Sequence, residues 1–329
     1  MDQKNGQEAI SNNKGKGNTE KKNTLVPSQA TISKLRKTIT GHLILPEDPE
    51  YEQARVIFLG GYNRHPAMII QAADDDDVAN AVTLAGETGM ELAVRSGGHS
   101  PAGHSSSEGG LVLDLRDMKA LRIDPESRTA WAEAGLTAGE YTTTADAHGL
   151  ATGFGDTGSV GIGGLTLGGG IGYLSRKHGL TIDNLLAAKI VTADGKLLHV
   201  DTESHPDLFW AIRGGGGNFG VATRFQFQLH EVGQVFGGML LLPATPEVIT
   251  GFIGEAISAR DELSTIANVM PAPPMPFLPA ELHGKLTVMA MMVYAGSIEA
   301  GISAIAPFRK LAQPWADMLR PMRYPEMFP

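Results

Sequence analysis

Apolar and polar positions along this chain alternate in short blocks, and the blocks predict a mixed α+β fold. Ser28 to Thr38 reads as a helix with Ser28 as N-cap. Ala67–Ala72 is an apolar run of strand length. Asp74–Thr88 follows as an acid-capped helix, with Val78, Ala81, Val82 and Ala85 on one face. Leu92–Val94, Leu111–Leu115 and Thr129–Glu133 read as strands, and Ala138–Ala147 as a helix. Leu185–Thr192 and Lys196–Asp201 form a hairpin through Asp194-Gly195, and Val221–Leu229 alternates as a strand should. Beyond Gly233 the composition shifts. Met239–Leu242 and Leu286–Tyr294 are expected as strands, Pro246–Arg260 and Ser297–Leu311 as helices. Met318–Pro329 carries three prolines and no visible terminating element. The strands are short, and the long regular βαβ units of a Rossmann sheet are not there.

Composition narrows the function classes. At 329 residues the chain is long enough for two domains. Residues 1–24 are polar, lack aromatics and carry five lysines, so they are expected to form a disordered tail. The formal charge is −9, from 27 basic and 36 acidic side chains, which argues against a nucleic-acid partner. No cysteine is present, so disulfides, thiolate nucleophiles and cysteine metal sites are ruled out, and no metal is expected. With no apolar signal core at the N-terminus and no run near the ~18 residues of a membrane span, a cytoplasmic protein without a membrane partner is expected.

Glycine carries the chemical information. There are 41, well above the ~7% of an average protein, and they cluster in three places. The first is Arg95-Ser-Gly-Gly-His-Ser-Pro-Ala-Gly-His-Ser105, a turn of small residues after a strand end. Gly97 and Gly98 let its backbone bend and approach a ligand closely. Its free N–H groups suit a phosphate oxygen, with the charge of Arg95 beside them. The second cluster runs from Gly153 to Gly172, and the third is Phe209-Trp-Ala-Ile-Arg-Gly-Gly-Gly-Gly-Asn-Phe-Gly220. One glycine loop is usually only a turn; three beside apolar strands point to one extended ligand, such as a dinucleotide. Two literal GxGxxG matches, Gly153–Gly158 and Gly215–Gly220, are set aside, because neither is expected as a strand-to-helix turn.

The run Val94-Arg-Ser-Gly-Gly-His-Ser-Pro-Ala-Gly-His104 resembles the flavin-attachment loop of the berberine-bridge-enzyme-like oxidases, within the vanillyl-alcohol-oxidase superfamily. Val160-Gly-Ile-Gly-Gly-Leu-Thr-Leu-Gly-Gly-Gly-Ile-Gly172 is similar to that family's second FAD loop. Gly179-Leu-Thr-Ile-Asp-Asn184 and Asp207–Gly220 match its next two signatures, in order. The resemblance implies a PCMH-type FAD-binding domain of two α/β subdomains over residues 25–235. It also implies a partial substrate domain over 236–329, an antiparallel sheet with helices, whose C-terminal part is expected to be missing.

Carried over by position, Ser96, Gly97, Gly98, His99 and Ser100 would wrap the pyrophosphate, with Arg95, Gly103 and His104 completing that pocket. Gly161, Gly164, Gly168 and Gly169 would admit the cofactor to the backbone. Val160 would lie near the flavin face and Val221 near the adenine end. His99 stands where the family bonds its flavin, and an imidazole is largely neutral and nucleophilic at pH 7. Thr157 stands where many members carry a second anchoring cysteine, and Leu165 where many bicovalent members carry a histidine. A single link, through His99, is therefore implied. Asp114 and Arg116 read as strand-end structure, and His148, His178, His199, His205 and His230 as ordinary histidines. Asp183 and Asn184 are equally well read as site residues or turn formers.

The implied activity is oxidation of an alcohol or amine carbon of a small molecule, with hydride passed to FAD and oxygen as acceptor, giving hydrogen peroxide. The alternative is an FAD-binding module without turnover. No catalytic base is named, and nothing in the pattern fixes the substrate or the oligomeric state.

Overall fold

The computed structural model describes residues 27–328, so the expected tail over 1–24 lies outside the described residues. Three sheets organise the chain. The first takes β1 (His42–Ile44), β2 (Met68–Gln71), β3 (Leu92–Arg95) and β4 (Leu111–Asp114) in the order β1-β2-β4-β3, with β2 and β3 parallel to β4. The helix α1 (Gln29–Thr38) leads in, capped by Ser28, and a short α2 (Tyr51–Arg55) follows β1. The crossover helix α3 (Asp75–Thr88) buries Val78, Ala81, Val82 and Ala85, the face its periodicity predicts. Asp77 at its start is fully buried. Its carboxylate accepts from the backbone N–H groups of Thr40, Gly41 and Ala73 at 2.8–2.9 Å, tying the approach to β1 to the helix N-terminus.

The second sheet is built from β5 (Leu121–Asp124), β6 (Thr129–Glu133), β8 (Leu185–Val191), β9 (Leu197–Val200) and β10 (Val221–Gln228). Its order is β5-β6-β10-β8-β9, antiparallel throughout. The Asp-Gly hairpin is present, with Gly195 at φ +75°. Between β6 and β8 lie α4 (Ala138–Asp146), the two-residue β7 (Leu150–Ala151), α5 (Ile162–Leu167) and α6 (Ser175–His178). One apolar core joins these two sheets, from Ile32 to Leu229. The helix α7 (Pro206–Gly215) was not expected; Pro206 at its first turn sets it, and its last turn opens into the third glycine cluster.

After β11 (His230–Glu231), which pairs with β7, the third sheet takes β12 (Gln234–Pro243), β13 (Leu263–Pro271), β14 (Leu286–Tyr294), β15 (Ala316–Asp317) and β16 (Arg320–Arg323). All its pairings are antiparallel, in the order β13-β14-β12 with β15 and β16 along the free side of β12. The helices α8 (Pro246–Ser258) and α9 (Ile298–Arg309) cover one face, around Leu240, Leu242, Ala290 and Met292. Two features differ from the sequence expectation. The edge strand β13 is hidden in the sequence because Ser264 and Asn268 interrupt its apolar run. The stretch after Met318 is ordered where the sequence showed no element: β16 carries Pro321 on an edge, where no N–H is needed, and Tyr324 and Met327 are buried behind it.

The link between the second and third sheets combines an apolar cluster, Tyr173 and Leu174 on Val235 and Val293, with polar ties. Arg176 donates to the carbonyls of Ala256, Ala259 and Leu263, and Lys177 to that of Ala295. Beside them His178 stacks on His230 with centroids 4.0 Å apart, and His230 meets Asn184 Oδ1. Burial, then His230 and Lys177, push the His178 pKa down to about 4. With its folded pKa below the ordinary 6.5, this stack's contribution is fully present above pH 6.5 and is lost as pH falls towards 4. Urea unfolding at pH 7 and pH 5 is predicted to show a stability loss in the wild type that is smaller in His178→Gln, the remainder coming from His230, whose pKa burial also lowers.

Candidate cofactor site

The first glycine loop begins where β3 ends, and Arg95 fixes that end from inside. Its side chain is 2% exposed. Nη1 donates to the carbonyl of Ala54 and lies 3.3 Å from Asp114 Oδ2, while Nε donates to Ser105 O. Arg116 binds the same carboxylate from the other side, as expected of a strand-end network. Asp114 and two backbone carbonyls engage Nε and Nη1, so Arg95 holds both ends of the loop together, while its buried Nη2 has no partner among the described residues.

Beyond Arg95, two loops meet backbone to backbone at Gly97 and Gly161. A Cβ on Gly97 would lie 2.3 Å from Gly161 N, and a Cβ on Gly161 would lie 2.3 Å from Gly97 N and 2.1 Å from Ser96 Oγ. No side chain fits at either position. Ser96 Oγ donates to Ala134 O at 2.6 Å, so its hydroxyl proton serves the loop contact. The segment Ile57–Arg64 wraps the turn from outside. Gly98, at φ +71°, lies against Ile57 and Phe58; Gly103 lies under the Tyr62 ring; Arg64 donates to the carbonyls of Gly103 and Ser106. This wrapping segment has no regular pattern in the sequence and was missed there.

His99 sits half-buried at the junction. Its ring stacks on Phe58 at 3.8 Å, and Nε2 is buried with no hydrogen-bond partner. Burial lowers its pKa below the ordinary histidine value, against a hydrogen bond to the Ser159 backbone. The imidazole is thus held neutral at pH 7, with one nitrogen unengaged. Phe58 is 64% exposed, and that edge of the junction is open.

Further glycines leave space rather than fill contacts. A Cβ on Gly164 in α5 would have nothing within 4 Å, and the same holds at Gly214, Gly216 and Gly217. The last turns of α7 and the Gly216–Phe219 turn pack against α5, so the second and third clusters adjoin. Gly220, by contrast, is required by the close approach of Val191 O. The structure therefore joins the first loop to the second through Gly97 and Gly161, and the second to the third through α5. An unpartnered buried imidazole nitrogen and a row of bare backbone facing open space fit a dinucleotide that carries a ring.

The other expected residues divide. Gly168 is exposed at the end of α5, and Gly169 turns there at φ +113°. Val160 is half-buried and accepts from Ala138 N. Ser100 Oγ accepts from the N–H of His104, whose side chain is exposed. The Val221 side chain is buried in the main core, so only its backbone is available to a ligand. Asn184 donates to the carbonyls of His178 and Leu180, and Asp183 caps Leu180 N; both are turn formers. Gly153–Gly158 follows the two-residue β7, which pairs antiparallel, so no βαβ unit surrounds it.

Residues 66–201 match the family model described as an FAD binding domain. The chain carries this FAD-binding domain, and the relatives it matches are FAD-linked oxidoreductases and berberine-bridge-enzyme-like proteins. (R)-6-hydroxynicotine oxidase of Paenarthrobacter nicotinovorans is 32% identical over 291 residues, covering 88% of this chain and 62% of that protein. The solved 6-hydroxy-D-nicotine oxidase from Arthrobacter nicotinovorans superposes with a TM-score of 0.81 at 32% identity, over 88% of this chain and 63% of its own. The berberine-bridge-enzyme-like 1 protein of Physcomitrella patens gives 0.76 at 26% identity, over 89% and 61%. This chain thus spans somewhat under two thirds of the length of these relatives. The PCMH-type fold and FAD as cofactor follow.

Two glycine substitutions separate the roles of these positions. Gly97→Ala is predicted to force the loops apart, destabilise the protein by about 2 kcal/mol and abolish flavin retention. Gly164→Ala is predicted to melt like the wild type but to retain several-fold less flavin. Thermal melting and the flavin-to-protein absorbance ratio check both.

Proposed function

We propose that this chain belongs to an oxidase that carries its FAD on His99 and oxidises an alcohol or amine carbon of a small molecule, with molecular oxygen as electron acceptor and hydrogen peroxide as product. The observation that carries the reading is the His99 ring: neutral, held by Phe58 on one face, and offering a buried nitrogen with no protein partner. When bound, FAD supplies the hydride acceptor and its reoxidation.

The residues of this chain bind and position. Arg95 and Asp114 clamp the loop ends. The Gly97–Gly161 contact fixes the two cradle loops relative to each other, and the bare backbone at Gly164, Gly214 and Gly216 admits the cofactor. The names of the nicotine oxidases favour a CH–N donor; the proposal keeps CH–OH donors alongside.

A second reading, flavin binding without turnover, draws on one observation. Among the described residues the strands of the helix-free face of the third sheet contribute one charged side chain, Arg320, and it is paired with Glu326, while the tyrosines packed at its end, Tyr173 and Tyr324, are held protonated by burial.

Flavin-loaded protein is predicted to bleach when a donor alcohol or amine is added without oxygen, and to recolour with peroxide release on admitting air. A protein that stays yellow across a panel of alcohols, sugars and amines would leave only the second reading. His99→Gln is predicted to give a colourless acid-precipitated pellet where the wild-type pellet fluoresces under ultraviolet light.

A further inference from the structure

Nine of the chain's 13 methionines follow Phe236, and the register of the third sheet gathers several on the face that α8 and α9 leave bare. Met239 of β12 lies directly opposite Met291 of β14, which on its other side lies opposite Ile266 of β13. Met289 stands one pair along, between Leu241 and Asn268. Met239, Met289, Met291 and Ile266 are all half-buried, in contrast to the closed core on the helix-covered face. The two ends of this bare face are covered. Tyr173 and Leu174, which follow directly on the second glycine loop, pack with Val235 and Val293 at one end. Leu278 and its loop pack on Leu241 at the other, and the half-buried residues between touch these covers, Ile266 and Met291 the first, Met239 and Met289 the second.

The chemistry between those ends is nearly uniform. Thr287 shares the face, but its hydroxyl donates to Leu242 O. Arg320 is bound to Glu326 at 2.8 Å. Among the described residues Asn268 is the exposed polar side chain left on the face. A sugar buried here would lose water from several hydroxyls and regain few hydrogen bonds, each unmade one being costly. An apolar ring loses nothing of that kind. Thioether side chains are flexible and polarisable and make favourable contacts with aromatic rings, so they mould to such a guest.

We propose that this methionine-lined strip, between Tyr173 and Leu278, selects the substrate and takes an uncharged, apolar ring compound in preference to a sugar. The proposal rests on reading the chain as a flavin oxidase, because Tyr173 brings the strip up to the second cofactor loop. It adds the substrate class and names Met239, Met289, Met291 and Ile266 as the specificity-determining residues.

The test uses the full chain with its methionine methyl groups labelled with carbon-13, and reads their resonances while 1-indanol or xylobiose is titrated in. 1-Indanol is expected to shift the signals of Met239, Met289 and Met291 saturably and to leave the fully buried Met68 and Met118 in place. Xylobiose is expected to shift none of them. Met291→Asn is expected to weaken 1-indanol binding about tenfold, and Met291→Leu, which keeps the apolar volume, to restore it to within about twofold. Shifts caused by xylobiose, or no shift of these three signals with 1-indanol, would overturn the proposal. The readout needs neither bound flavin nor turnover, so a colourless pellet with intact methionine shifts would count against the oxidase reading alone.

Discussion

Two loops of this protein meet where neither carries a side chain. Gly97 and Gly161 press backbone on backbone, at a separation that a single Cβ on either would violate by more than an ångström. Much of the site follows from that contact. It brings the turn that carries His99 against the start of α5. It aligns the two bare stretches of backbone, and it engages Ser96 with the end of β6 through Ala134. The buried Arg95–Asp114 pair acts on the same element from the other end, closing the turn at Ser105. Breaking a pair this deep would strand a charge, so it serves to fix one conformation of the loop rather than to add stability.

The glycine clusters thus play two distinct parts that look identical in the sequence. At Gly97, Gly161 and Gly220 the missing side chain makes room for the protein's own backbone. At Gly164, Gly214 and Gly216 it leaves space unfilled. On the reading proposed above, the open set would be the room that FAD takes, and the closed set would hold its walls in register. His99 lies on the loop that the Gly97–Gly161 contact fixes, its neutral state maintained by burial.

How much was legible beforehand follows the same division. The helices with strong 3.6-residue periodicity, such as α3, and the strands with apolar runs, such as β14, were plain because local pattern and tertiary burial agree in them. The order of the glycine motifs pointed to the family and to FAD. The direction of the Arg95 and Ser96 side chains was not legible, since it depends on Asp114 and Ala134, which are distant in sequence. The wrapping segment Ile57–Arg64 was missed because it has no periodicity at all. Phe58, which stacks on His99, gives no signal beyond being one more apolar residue in a loop. The edge strand β13 and the methionine strip were invisible for a related reason: only the register of the third sheet brings Met239, Met291 and Ile266 side by side.

The central claim, that these loops form one FAD site with His99 as its anchor, is tested most directly by peptide mass mapping of the flavin-loaded protein under denaturing conditions. The account predicts one flavin adduct on the tryptic peptide Ser96–Arg116, with fragment ions that place it on His99. An adduct on His104, or the unmodified peptide recovered from protein that was yellow when native, would contradict it.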